Sequence, residues 1–160
     1  MRFRLTRRLA IAVAIAALAV PAGVAVATPP QGVTPTPLGR GTFSEQAKVH
    51  TSNIKAKIEP SDFVVLSLHF APGGTTGWHS HPGPAMVIVQ EGTFTLYNAS
   101  DPECQPHRYG PGQAFVDKGG GNVHIGRNET RKPVRVLVTF VIPEGAAPTI
   151  DAPDPGTCHF

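Results

Sequence analysis

The chain has 160 residues and a formal charge of +3, with 41 % hydrophobic and 16 % charged residues and 17 each of glycine and proline. That length fits one domain and excludes a multidomain machine, while the apolar, turn-rich composition excludes a charged disordered chain and argues against long helices. The positive charge does not point to a nucleic-acid partner, because its surplus is confined to the first eight residues.

In chain order, Arg2, Arg4, Arg7 and Arg8 precede an unbroken apolar run over 9–20, then Pro21 and the small-x-small triplet Ala25-Val26-Ala27. This order predicts a signal peptide over 1–27 cleaved after Ala27, a secreted or periplasmic destination, and no membrane partner after cleavage. The remaining 133 residues (160 minus 27) carry 10 basic and 11 acidic side chains, a net of −1. An uncleaved N-terminal membrane anchor is the alternative, since residues 9–27 approach the roughly 20 that a span requires. Thr6-Arg7-Arg8-Leu9 also resembles part of a twin-arginine signal, which leaves the export route open.

Residues 28–40 hold four prolines and one charge, and they read as an extended Pro-rich leader without a core of its own, ahead of a domain over 41–160. Strand-length stretches rich in β-branched and aromatic residues then recur at 62–70, 86–90, 93–97, 113–117, 123–125 and 134–142, between glycine and proline turns. They predict an all-β, antiparallel sandwich or barrel with its core over about 62–142. The tail over 143–160 carries four more prolines and is expected to cover the barrel as irregular chain. Two cysteines, Cys104 and Cys158, predict in an exported chain a disulfide across 54 positions, with two free thiols as the alternative. Alternation puts Met86 and Ile88 on the face opposite Val87 and Val89, so that stretch is apolar on both sides and a homodimer would cover the outer one.

Chemistry concentrates in Trp78-His79-Ser80-His81. Residues two apart on a strand share a face at roughly 6.6 Å, close enough for two imidazoles to converge on one ion. Ser80 is turned away by the same alternation, so a serine nucleophile is unsupported, and no catalytic base can be assigned.

Residues 72–92, PGGTTGWHSHPGPAMVIVQEG, closely resemble the first signature of the cupin family, with Gly73, His79, His81 and Gly92 on its pattern. Residues 112–128, GQAFVDKGGGNVHIGRN, resemble the second signature through Gly112, Gly120, His124 and Asn128, with one extra residue before the histidine. The resemblance implies a cupin jelly-roll β-barrel in which His79, His81 and His124 are metal ligands. The family's glutamate ligand falls on Ala85, and Lys118 replaces a motif proline. Imidazole-only coordination favours Fe, Zn, Cu or Ni over Mn.

If position 85 faces inward as in the family, Val87 and Val89 follow it, while Glu91 falls in an exposed turn. Alternation likewise groups Gly126 and Asn128 with His124. The expected pocket is therefore roomy at Ala85 and Gly126 and walled by Val87, Val89, Tyr97 and Phe115, with His69 a further residue able to reach it. Such a pocket implies a small-molecule ligand or substrate, and the resemblance, through its three-histidine metal centre, implies dioxygenase-like or Lewis-acid chemistry. The alternative is a non-catalytic cupin that binds a small ligand or metal after losing the motif glutamate.

Overall fold

The computed structural model describes residues 27–160, so the segment read as a signal peptide, apart from Ala27, lies outside the described residues. Twelve strands follow: β1 (Gln31–Phe43), β2 (Ala47–His50), β3 (Lys55–Ile58), β4 (Ser61–Thr75), β5 (His79–Ser80), β6 (Ala85–Glu91), β7 (Phe94–Asn98), β8 (His107–Tyr109), β9 (Ala114–Asp117), β10 (His124–Arg127), β11 (Val134–Ile142) and β12 (Ile150–Asp151). No helix among the described residues is long and apolar enough to cross a membrane.

Ten of the strands form a nearly closed antiparallel barrel of two leaves. One leaf runs β1-β4-β11-β6-β9, and the other joins β8, β7, β10, β5 and β12. The leaves meet where Thr75, at the end of β4, pairs with Arg127 of β10. β2 and β3 form a separate hairpin.

Period-two alternation builds the core. Val134, Val136, Val138, Phe140 and Ile142 of β11 face inward against Val64 and Phe70 of β4 and Ala85, Val87 and Val89 of β6. Phe94 and Leu96 of β7 close this cluster from the other leaf. A second cluster holds Trp78, Tyr97, Ile125, Ala152 and Cys158 on the outer side of that leaf.

The segment read as a leader is part of the barrel: residues 31–43 pair with β4 along nearly their whole length. Proline is tolerated on an edge strand because an outward-facing nitrogen has no ladder bond to lose, and Pro35 and Pro37, two apart, lie on the same side of this edge. Asp62 of β4 fastens the strand, accepting from Thr42 Oγ1 at 2.7 Å and Arg40 Nε at 2.9 Å. The same carboxylate accepts the Gly145 amide at 2.9 Å, so it also pins the start of the tail. The tail itself is more ordered than expected. Its short strand β12 pairs with β5, and Cys158 is joined to Cys104 with their Cα atoms 5.4 Å apart.

Candidate metal centre

Strand β5 with the residue after it, and strand β10, bring the histidines together. Gly77, at φ +70°, lies where any Cβ would come within 1.8 Å of the Thr28 carbonyl oxygen, so only glycine lets the chain turn there into β5. His79 and His81 then face the barrel interior, and His124 is the direct antiparallel partner of His79 on β10. The three rings are buried, with centroids 4.4 to 5.0 Å apart, and one nitrogen from each lies within 4.8 Å of the others.

Each ring is oriented by a backbone carbonyl from a different segment. Nδ1 of His79 lies 3.0 Å from the Gly77 oxygen, Nδ1 of His81 2.7 Å from the Pro148 oxygen, and Nδ1 of His124 3.0 Å from the Asn122 oxygen. A carbonyl only accepts, so Nδ1 carries the proton in all three rings and Nε2 presents its lone pair. Burial, with the neighbouring His124 second, holds His79 down to about 3, and burial also lowers His81 and His124. Neutral imidazoles with converging Nε2 atoms are the donor set a divalent transition ion takes, so these residues fit such an ion.

The rings open onto a cavity of about 290 Å³, at the low end of the range for small-molecule sites. Its wall is mostly apolar, built by Leu66, Leu68, Phe70, Val87, Phe94 and Phe115 among others. Gly126 also lines it, and a Cβ there would lie 2.5 Å from Phe94 Cζ, so the missing side chain makes room for that ring.

Of the other residues read into the pocket from sequence, Ala85 and Val89 lie in the packed core beside it. Tyr97 is turned to the outer cluster by the alternation that sends Leu96 inward, and its hydroxyl donates to Glu129 at 2.6 Å. Burial, with that hydrogen bond second, pushes the phenol up to about 12. Asn128 has left the strand. Its side chain ties the following turn, donating to the Ala71 and Lys132 carbonyls at 3.0 and 2.8 Å. His69 is exposed, because Leu66, Leu68 and Phe70 take the inward positions of β4. Glu91 is at the surface, paired with Arg135.

Several lining residues were not anticipated. Asp117 is buried, with Oδ2 3.2 Å from His124 Nδ1, and it also accepts from the Gly119 amide and from Asn122 Nδ2. The alternation that brings Phe115 inward does the same for position 117, so this carboxylate was within reach of the pattern. Pro148, Thr149 and Asp151 come from the tail, where no periodic signal marks a site.

An antiparallel double-leaved barrel with a buried histidine triad beside an apolar cavity defines a class of small β-barrel protein, and the cupin domain family model matches residues 66–140. The chain therefore carries a cupin domain over these residues. Its fold is similar to that of the polyketide cyclase RemF from Streptomyces resistomycificus, at 20 % identity and a TM-score of 0.54, over 81 % of this chain and 80 % of that one. A cupin domain from Bordetella pertussis gives 21 % identity and a TM-score of 0.48 over 71 % and 96 % of the two chains. The DMSP lyase DddQ from Ruegeria pomeroyi gives 21 % and 0.47 over 54 % and 41 %. No curated protein sequence matches the chain.

Proposed function

We propose that the protein is an exported metalloprotein in which His79, His81 and His124 hold one divalent ion of iron, zinc, copper or nickel beside a cavity for a small, largely apolar molecule. The observation that carries this reading is the clustering of three buried imidazoles, each with Nδ1 on a carbonyl and with one nitrogen of each ring within 4.8 Å of the others. Such an ion supplies Lewis-acid chemistry, or oxygen chemistry where it is redox-active.

The chain's own residues do the rest. Leu68, Val87, Phe94 and Phe115 exclude water and take the apolar body of a ligand. Asp151 is exposed yet lines the same cavity, which puts a carboxylate where a ligand's proton can be taken. Ala85 at the family's glutamate position favours a second reading, a non-catalytic binder of a small ligand or metal. The two separate on turnover: an enzyme loses it in His79→Ala, whereas a binder shows ligand affinity without any.

Export is supported by the arginine-led apolar segment and by the Cys104–Cys158 bridge. A homodimer is supported by the outer face of β6 and β9, where Met86, Ile88 and Val116 are exposed. A monomeric mass by light scattering at micromolar concentration refutes it.

Elemental analysis of protein purified without chelator or histidine tag tests the centre. One equivalent of a transition metal, lost in the His79→Ala/His124→Ala double variant, is the expected result. Metal-free protein that takes up none of the four ions on reconstitution overturns it.

A further inference from the structure

Three neutral imidazoles leave a divalent ion its full charge in a mostly apolar cavity, and the position where the family carries a carboxylate is Ala85. Ala85 is directly opposite Asp117 in the β6–β9 pair, and side chains of such a pair project from the same face of the sheet. Asp117 is 4 % exposed and lines the cavity. A buried carboxylate needs partners, and it has three: the Gly119 amide at 2.7 Å, Asn122 Nδ2 at 2.6 Å and His124 Nδ1 at 3.2 Å.

Resting on the metal centre proposed above, we propose that Asp117 takes over from β9 the charge-balancing role that a carboxylate at position 85 would have on β6, and that it acts through His124. The contact is to Nδ1, the nitrogen away from the ion, so Asp117 is a positioning residue. It reaches His124 twice: directly, and by holding the side chain of Asn122, whose carbonyl accepts from the same Nδ1. A carboxylate on the outer nitrogen fixes the ring's orientation and strengthens Nε2 as a donor. Delivering the charge this way keeps a carboxylate off the ion and leaves its remaining positions to a ligand. The 118–121 turn that follows completes the arrangement, since the Asp117 side chain accepts its Gly119 amide.

The test compares zinc affinity, by chelator competition, and the visible spectrum of the cobalt-substituted protein in wild type and Asp117→Asn. Removing such a partner typically costs about 10–100-fold in metal affinity, and this loss with a shifted cobalt spectrum is expected. Zinc affinity within threefold of wild type overturns the proposal. A loss of affinity with an unchanged cobalt spectrum also overturns it, because that marks a structural loss alone. Should Asp117→Asn fail to fold, the wild-type zinc protein decides by nitrogen-15 NMR of the histidine rings. A His124 Nδ1 proton downfield of those of His79 and His81 supports the carboxylate contact, and one level with or upfield of them refutes it. Wild-type protein that takes up no zinc, iron, copper or nickel refutes the metal centre itself, a result distinct from an Asp117 effect that is absent.

Discussion

Replacing both Cys104 and Cys158 with serine should cost most of the stability of the tail and a large part of that of the whole domain. The bridge closes a loop across 54 positions, for which loop-closure entropy gives about 4 kcal/mol. Cys158 is buried against Trp78 and Tyr97, so two serine hydroxyls would add a burial penalty to the lost cross-link. With a urea dependence of about 2 kcal/mol per molar for a domain of this size, the midpoint should fall by about 2 M. The assay is equilibrium urea unfolding followed by Trp78 fluorescence, since that residue sits in the bridged cluster. A fall of less than about 0.5 M, equivalent to about 1 kcal/mol, would show that the tail is held by its other contacts and would refute the reasoning. The local consequence is equally specific. β12 and Pro148 lie between Gly145, pinned by Asp62, and the bridge, so release of the bridge frees one end of the segment that orients His81.

Asp62 should make the fold acid-sensitive. Hydrogen bonds from Thr42, then from the Gly145 amide, then the Arg40 contact, lower its pKa from 3.8 to about 2. A carboxyl depressed on folding contributes stability above its unfolded value, and that contribution is lost as pH falls from about 4 through about 2. Asp62→Asn should lose stability at neutral pH and show a flatter decline across that window in urea midpoints; a decline as steep as wild type's would remove Asp62 from the account. Gly126→Ala should cost about 1 kcal/mol, the low end for overpacking, because Phe94 can yield into the cavity that it lines. Urea unfolding that finds the variant as stable as the parent would mean that the ring has room already.

Alternation was the informative signal wherever a strand has one buried face. It places Val87 inward with Met86 and Ile88 outward, and it assigns the full length of β11. It failed where pairing leaves no periodic trace. β1 is exposed along both faces except at Val33, so its sequence shows turn-forming prolines and no apolar rhythm. β5 and β12 are two residues each, too short for a period, yet they carry His79 and the tail's approach to it. Tyr97 and Asn128 mark a different limit. Aromatic character cannot say which leaf-face a residue takes, and a strand that ends after Arg127 makes Asn128 a turn residue whatever its spacing from His124. Asp117 was legible by the rule that brought Phe115 inward, but a carboxylate at a strand end before a glycine turn also reads as solvent-facing.

The three histidines depend on segments far apart in the chain: the turn before β5 for His79, the tail for His81, and the loop between β9 and β10 for His124. None of these carbonyls belongs to a long strand, so burial of the main core does not by itself fix their positions. A ligand that takes all three Nε2 atoms would therefore favour the closed arrangement of three short segments at once, and its binding energy would appear as stability of those segments rather than of the β4–β11 core. Hydrogen exchange read with and without zinc distinguishes the cases. Protection gained at Trp78, Ile125 and Ala152 with little change at Val136 and Val138 is the expected pattern; uniform gain across β11 would mean that the site and the core open together.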